Sequence, residues 1–306
     1  MILLGYTPAQ WVLFFFLYSF LGWIWESSFV SIREHRWVNR GFLHGPLLPI
    51  YGFGAVSILL FTLPVAQNPL LIFLMGMTGA TLLEYITGYA MERMFHVRYW
   101  DYSMYRWNLN GYICLPASLC WGVFSLAMVK LIHPLLGGWT ASLPETLAVS
   151  AALTLAGLTT ADMFVSLREA VDMRSLLSSL SESKRRIAWL QKRLEVQAAF
   201  APNTLTRSVD TARQSGEAVK SALAARLQVL RDQRSRLLRT LDFKSLLSSA
   251  PDAPETARLI QKEFQAMRDR TDPMFRRTVR HLRRNPSIVS KRYGDALQDM
   301  EPLLDP

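Results

Sequence analysis

Cysteine and dense metal-binding motifs are scarce in this chain. Its 306 residues include two cysteines, Cys114 and Cys120, in one apolar segment. On a helix their spacing keeps the two sulfurs apart, so we expect both to be reduced. Glu92 and His96 have the i, i+4 spacing of helical ligands, and His44 could join them, but closely spaced His and Cys ligands are lacking. We therefore predict neither a metal ion nor another cofactor.

Motifs for catalysis are also lacking. No phosphate-binding loop of the form G-x-x-x-x-G-K-[ST] occurs, so the chain is not an ATPase by itself. No Ser-His-Asp spacing or nucleophile elbow is present, which favours a protein that is not an enzyme on its own. The first apolar run has no basic region before it and no small-residue cleavage site, so we expect it to be retained rather than cleaved as a signal peptide.

Hydrophobic residues and positive charge belong to different parts of the sequence. Half of all residues are hydrophobic, yet the formal charge is +10. Residues 1–168 contain 8 basic and 7 acidic side chains, and residues 169–306 contain 26 and 17. We predict a transmembrane domain at 1–168 and a basic, helical cytoplasmic tail at 169–306. Basic and acidic residues alternate in the tail without a recognised binding module, so nucleic acid is not an expected partner.

Five apolar segments are each long enough to cross a bilayer, for which about 20 residues are needed. They predict an all-α, polytopic membrane protein with helices at about 9–32, 46–66, 69–92, 112–132 and 145–167.

The distribution of arginine predicts the topology. The connecting segments 62–69 and 133–145 contain no Lys or Arg, whereas 33–45 and 93–111 contain three arginines each. By the positive-inside rule, the N-terminus and the uncharged turns face outside, and the arginine-bearing loops and the tail face the cytoplasm. We expect a multi-pass protein of the bacterial cytoplasmic membrane.

Leucine spacing in the tail indicates helices that associate. Leu180, Ile187, Leu190 and Leu194 fit a heptad with polar interruptions, and a second leucine run at 223–241 fits better. Ala-Pro-Asn at 201–203 and Ser-Ala-Pro-Asp at 249–252 break the helical pattern, and a looser helix is predicted at 254–271. A partly coiled-coil tail and a homo-oligomer are therefore expected.

Two acidic residues stand within apolar helices, where a charge is costly and usually faces protein or water. Glu26 lies near the inner end of the first helix and Glu84 lies deeper in the third. Small residues recur near Glu84 with a spacing of four, which lets another helix approach closely. One interpretation is buried ion pairs with Arg40, Arg93 or Arg98 that only fix packing. The other is a polar pocket near the cytoplasmic interface that binds a charged ligand or relays protons.

Two segments have unusual composition for connecting loops. Residues 37–54 combine Asn39, Arg40 and His44 with glycine, proline and aromatic residues, and residues 91–115 interleave charged and aromatic side chains. Part of the second segment fits an aromatic belt at the headgroup level. We expect Arg98, Asp101 and Tyr102 to form a network with Asn39 and Arg40.

The two segments also resemble each other. Residues 41–52 (GFLHGPLLPIYG) align without gaps to 111–122 (GYICLPASLCWG), with coincident Gly, Pro and Gly positions. Each follows a helix that carries Glu26 or Glu84. We infer a parallel duplication of the first and second helical pairs, related by an axis near the membrane normal.

Four stretches resemble one known family. FFFLYSFLGWIWE at 14–26, VNRGFLHGPLLPIYGFGA at 38–55, LEYITGYAMERMFHVRYWDYS at 83–103 and NLNGYICLPASLCWG at 108–122 are similar to the ABC-transporter permease family of the CmpB or type IV kind. The resemblance covers roughly residues 9–135. It implies transport, dimerisation to ten spans and a separate ATPase subunit.

The family pattern carries over to individual positions of this chain. As binding or polar-network candidates it supports Glu26, Asn39, Arg40, Glu84, Tyr85, Glu92, Trp100, Asp101, Tyr102 and Asn108, and the charge pattern described above adds Arg98. As structural positions it supports Gly41, Gly45, Pro46, Pro49, Gly52, Gly88 and Gly111. The chain departs from the pattern at His44, where Asn is expected, and at Tyr99, where Trp is expected, which argues against His44 as an essential ligand or base.

Three functions remain open from the sequence. The first is a permease-like membrane component with a charged pocket for an unidentified solute. The second is a membrane-embedded enzyme acting on a lipid-type substrate, with carboxylates and Arg98 in acid–base and phosphate-binding roles. The third is a scaffold or sensor that signals through its coiled tail.

Overall fold

The computed structural model describes residues 2–199, 274–275, 277–298 and 300, and the described chain is almost wholly helical. The elements are α1 (Pro8–Arg33), α2 (Pro49–Thr62), α3 (Pro69–Phe95), β1 (Asn108–Leu109), β2 (Ile113–Cys114), α4 (Leu115–Ala127), α5 (His133–Ala141), α6 (Glu145–Ala199), α7 (277–284) and α8 (Gly294–Gln298). The all-α prediction is confirmed, with the addition of a short antiparallel hairpin β1–β2 that the sequence did not predict.

Local sequence explains where the first and third helices begin. Thr7 and Gln10 form a reciprocal capping box at the start of α1, and Pro8 occupies the first turn. The Asn68 side chain accepts hydrogen bonds from the amides of Leu70 and Leu71 at the start of α3. These caps satisfy amides that would otherwise lack partners at a helix end.

The predicted turn at 133–145 is wrong in its extent. The chain continues from α4 through a π-helical turn, Met128–Ile132, into α5, and leaves the helix only after Ala141. Pro134 has no amide hydrogen to donate to the preceding turn. The missing hydrogen bond accounts for the local change from α-helical to π-helical geometry.

Within the described residues, four helical stretches are long and apolar enough to cross a membrane: α1, α3, Leu115–Ala141 and Glu145–Arg186. The second predicted span, 46–66, corresponds to a shorter apolar helix, Pro49–Val65, made of α2 and one 3-10 turn. The number of five spans and the orientation therefore stay predictions. The last predicted span and the first tail helix form one continuous helix, α6, of 55 residues.

The core of the helical bundle lies between α1, α2, α3 and the α4 region. Phe14, Leu59 and Ile72 are fully buried there. Large apolar side chains such as Phe61 and Phe164 are exposed on the outer faces. An apolar outer surface on long apolar helices fits a surrounding bilayer, so the chain is a membrane protein.

The described chain divides into two units. The first comprises residues 1–171 and 280–292 and contains the apolar helices. The second comprises residues 172–279 and 293–306. In the second, Met173 and Leu177 are buried and Arg277 Nη1 donates to Asp172 Oδ2 at 2.6 Å. The predicted leucine run at 223–241 and the helix at 254–271 lie outside the described residues.

A close contact between α3 and α4 depends on Gly76, because a Cβ atom there would overlap the Ser125 side chain. Gly79, one turn away on the same helix, has no neighbouring atom within 4 Å of such a Cβ. We predict that Gly76→Ala destabilises the fold by about 1–3 kcal/mol through overpacking. Gly79→Ala should be neutral or stabilising by up to about 1 kcal/mol, since alanine favours helix over glycine.

The measurement is the thermal denaturation midpoint of each variant in the same detergent, followed by size-exclusion chromatography. A Gly76→Ala midpoint equal to or above that of Gly79→Ala would contradict this account of helix packing.

Candidate functional site

Glu84 lies in the middle of the bundle with both carboxylate oxygens satisfied by neutral donors. Tyr102 Oη donates to Oε1 at 3.0 Å and Trp121 Nε1 donates to Oε2 at 3.0 Å. The residue is only 6% exposed. Among the described residues no Lys, Arg or His forms an ion pair with Glu84. The ion pair with arginine, one of the two interpretations left open for Glu84, is therefore not formed within the described residues, where only neutral hydrogen-bond donors contact its carboxylate.

Glu26 has a similar arrangement on α1, with one cation nearby. Tyr51 Oη donates to Oε1 at 2.7 Å, and Arg40 Nε lies 4.0 Å from Oε2. The Tyr51 ring lies 5.6 Å from that of Trp121. Tyr51 thus stands between the two carboxylates and contacts the side chain that donates to Glu84.

A cavity of about 240 Å³ lies between α1, α2, α3 and α4. Its walls are mainly apolar, and Glu84, Tyr51 and Trp121 are among the polar side chains that line it. The cavity therefore joins an apolar space to a buried carboxylate.

The segment between α3 and α4 is folded around Arg98 and two further carboxylates. Arg98 Nε donates to Glu92 Oε2 at 2.6 Å, and its Nη1 donates to Asp101 Oδ1 at 3.2 Å. Tyr112 Oη also donates to Glu92 Oε2, and its ring lies 4.8 Å below the guanidinium. Burial alone would lower the pKa of the Arg98 guanidinium. The carboxylates of Glu92 and Asp101 have the larger combined effect, so the pKa of Arg98 is raised.

Gly111 allows this arrangement. Its φ is +77°, and a Cβ atom there would meet Arg98, Asp101 and Ser103 at 2.5 Å. Glycine is thus required both by the left-handed backbone and by the close side chains.

The other candidates in this segment support the hairpin rather than the cavity. Trp100 Nε1 donates to the Tyr112 carbonyl at 2.9 Å, and Asn108 Oδ1 accepts from the Gly111 amide at 3.0 Å. Tyr85 Oη accepts from Asn110 Nδ2 at 2.9 Å.

Gly88 on α3 provides the surface against which this segment packs. A Cβ atom there would lie 3.1 Å from Tyr112 and 3.2 Å from Trp100.

The segment between α1 and α2 is held by Asn39 and Arg40. Asn39 Oδ1 accepts from Trp23 Nε1 at 2.6 Å, and its Nδ2 donates to the His44 carbonyl at 2.7 Å. Arg40 Nη2 donates to the carbonyl of Tyr99 at 3.1 Å. Arg40 therefore joins this segment to the one between α3 and α4. Burial lowers the pKa of its guanidinium, with Glu26 acting in the opposite direction.

Glycine and proline shape the same segment. Gly41 has φ +140°, and a Cβ atom would meet Leu48 at 2.8 Å. Pro46 lies in the segment before α2, Pro49 is the first residue of α2, and a Cβ at Gly52 would overlap Ser19 on α1.

Residues 280–292, far away in sequence, pack against both segments. Asn285 Oδ1 accepts from Arg40 Nη1 at 3.2 Å, and Asn285 Nδ2 donates to the Gly41 carbonyl at 3.0 Å. Val289 and Arg98 exchange backbone hydrogen bonds of 2.8 and 3.0 Å. Ser287 Oγ accepts from Arg40 Nη2 at 2.8 Å. This C-terminal segment therefore fills the hydrogen-bonding positions that Arg40 presents.

His44 contacts a second acidic pair on α6. Its Nδ1 lies 2.9 Å from Asp162 Oδ1 and its Nε2 lies 3.2 Å from Glu169 Oε2. Asp162 also accepts from the Gly45 amide at 2.7 Å, and Arg284 Nη2 donates to Glu169 Oε2 at 2.6 Å. Glu92, His96 and His44 are not assembled into a metal-binding group in the described parts of the chain.

The expected single network is therefore split among several partners. Tyr102 donates to Glu84, and Arg98 donates to both Glu92 and Asp101. Asn39 instead forms hydrogen bonds with Trp23 and the His44 carbonyl.

Sequence reasoning missed Asp162, Glu169 and the C-terminal segment. Asp162 stands in an apolar helix, so the cost argument applied to Glu26 and Glu84 could have identified it. No local pattern distinguishes residues 280–292.

Comparison with known proteins gives one finding. The family model described as "Putative ABC-transporter type IV" matches residues 13–167, just over half of the chain. This range contains every site candidate named from the sequence. No curated protein and no solved structure matched the chain.

The docking of residues 280–292 can be tested at Asn285. Replacing it by Ala removes the bonds to Arg40 and Gly41, each of which contributes about 1–3 kcal/mol when one partner is charged or left buried. We expect the amide of Val289 to exchange hydrogen at least tenfold faster in Asn285→Ala than in the unmodified protein. Hydrogen exchange with mass spectrometry provides the measurement.

The control is Lys291→Ala, which changes an exposed side chain in the same segment. Equal exchange at Val289 in both variants would show that Asn285 does not hold the segment.

His281 predicts a pH dependence. Burial, with Arg284 and His44 nearby, lowers its pKa from 6.5 to about 3, and Tyr99 Oη lies 2.7 Å from its Nε2. The folded state therefore binds fewer protons than the unfolded state between these pH values. The contribution of neutral His281 to the free energy of unfolding is therefore fully present above pH 6.5. It decreases as the pH falls, by about 2 kcal/mol at pH 5.

We expect the thermal denaturation midpoint to be lower at pH 5.0 than at pH 7.5. The difference should be smaller in His281→Gln, which retains a polar partner for Tyr99 without titrating. The same fall in both proteins would exclude His281 as its cause.

Proposed function

Because the chain belongs to the ABC-transporter type IV family, we propose that it is the membrane-spanning component of a transporter in the bacterial cytoplasmic membrane. The observation that carries this proposal is the cavity between α1 and α4 with Glu84 in its wall and Glu26 behind Tyr51. A buried carboxylate beside an internal cavity is characteristic of solute or proton pathways in membrane proteins. Glu26 and Glu84 would bind or relay positive charge.

Arg40 and Asn39 would control the cytoplasmic end of the pathway. Arg40 is a buried cation near Glu26 and holds both the Tyr99 carbonyl and residues of the C-terminal segment. Movement of either connecting segment would change the position of this cation relative to Glu26. Such a coupling fits a protein in which events at the cytoplasmic surface alter a site within the bundle.

A separate ATPase subunit is the partner this proposal requires, since the chain has no phosphate-binding loop of its own. Arg33, Arg93 and Arg106 are exposed in or beside the segments predicted to face the cytoplasm, and they would provide positive charge for such a contact. Pairing of two copies would complete the transmembrane assembly.

Purification of the tagged chain from its native membranes tests the partner. We expect an ATPase subunit to co-purify, and the double variant Arg93→Glu/Arg106→Glu to lose at least nine-tenths of it because charge complementarity at the contact is reversed. Lys192→Glu, an exposed charge reversal outside these segments, should retain it.

The absence of any ATPase would contradict the proposal. A tightly held lipid with turnover would favour the enzyme alternative, and oligomers that depend on the tail would favour a scaffold.

A further inference from the structure

The cavity beside Glu84 opens toward the bilayer side of the bundle. Leu21, Trp25 and Phe124 line it and are themselves 39%, 55% and 46% exposed. They lie on helices whose exposed surface is apolar, so the rim of the cavity is suited to acyl chains rather than to water. A ligand can therefore approach sideways from the lipid without crossing a polar surface.

The wall of this apolar cavity includes a carboxylate that lacks a counter-ion. Glu84 accepts two hydrogen bonds from neutral donors, and no cationic side chain pairs with it in the described part of the chain. Burial of an uncompensated charge is unfavourable, so the site favours an occupant that carries a positive charge or a proton.

Aromatic rings surround the approach to Glu84. The rings of Tyr51 and Trp121, of Trp121 and Phe124, and of Phe124 and Trp25 are 5.6, 6.2 and 5.6 Å apart. Aromatic faces attract ammonium groups, and quaternary ammonium ligands are commonly held by several rings. The cavity of about 240 Å³ is smaller than the roughly 300–1,000 Å³ of drug-sized sites, which fits one narrow molecule.

We propose that this cavity binds a lipophilic cation, an amphiphile with a single apolar chain and a positively charged amine or quaternary ammonium group. The chain lies among Leu21, Trp25 and Phe124, and the charged group is directed toward Glu84. This inference rests on the proposed transport function and specifies its class of solute. Because the cation enters from the lipid, the pathway begins within the membrane and not at the aqueous surface.

Equilibrium binding to the full chain in uncharged maltoside micelles tests the proposal. The probes are decyltrimethylammonium, decanol and decyl sulfate, which share a chain and differ in charge. We expect the cation to bind at least tenfold more tightly than decanol, and decyl sulfate to bind more weakly than both. In Glu84→Gln the affinity for the cation should fall at least tenfold while that for decanol changes less than twofold.

Glu145→Gln is the matched control, because Glu145 is exposed at the start of α6 and should leave all three affinities unchanged. Equal binding of the cation and decanol would overturn the proposal. A charge preference that survives Glu84→Gln would also overturn it, and would indicate that Glu84 carries a proton instead.

A second pair of variants tests the cavity without changing charge. Gly54 lines it, and a Cβ there would lie 3.6 Å from Leu83, in ordinary contact, so Gly54→Leu places added carbon in the cavity. Gly54→Leu should lower the affinity for the cation and for decanol alike, by at least tenfold. Gly79→Leu, where the added side chain meets open space, should change neither affinity. Full binding by Gly54→Leu would place the ligand elsewhere and refute the assignment.

The result is separable from the test of the proposed function. A co-purifying ATPase without any charge preference among the probes would refute the cation site and leave the transporter assignment intact. A preference for the cationic probe without a co-purifying ATPase would support the cation site and contradict the transporter assignment.

Discussion

The need to satisfy carboxylates buried among apolar helices organises the described membrane unit. Glu26, Glu84 and Asp162 lie on three different helices where water is scarce, and each takes hydrogen bonds from groups that another segment supplies. Because an unsatisfied buried charge is very costly, these bonds fix where the connecting segments can lie. The segments between helices are therefore folded by the acidic groups as much as by their own glycines and prolines.

The same constraint explains the role of the C-terminal segment. Arg40 and Glu169 each bring charge to a buried position, and residues 284–287 provide donors and acceptors for both. A polar network of this kind is favourable only when its members are all satisfied. Residues 280–292 are thus part of the membrane unit although they are distant from it in sequence and lie outside the range of the family match.

The inferred duplication gains support from chemistry at matching positions, although it stays a prediction. Tyr51 and Trp121 coincide in the alignment of the two copies, and each donates to the acidic residue of the preceding helix, Glu26 or Glu84. Gly41 and Gly111 also coincide, and both have positive φ. The two carboxylates nevertheless differ in surroundings. Glu26 has Arg40 nearby, whereas Glu84 faces the cavity, and this asymmetry is what makes Glu84 the better site for an external cation.

The sequence established the helical membrane character and the family, and it singled out Glu26, Glu84, Arg40 and Arg98 as candidates, because apolar length and the cost of intramembrane charge are local properties. It did not determine the partners of these side chains. The tertiary structure reveals that Arg98 pairs with Glu92 and that Arg40 contacts Asn285 across more than 240 residues of sequence. It also places Glu84 in the wall of a cavity, where no cationic side chain of the described residues pairs with it. Hydrogen-bond partners depend on which helices pack together, and that choice is made by the summed contacts of the whole bundle rather than by any single stretch.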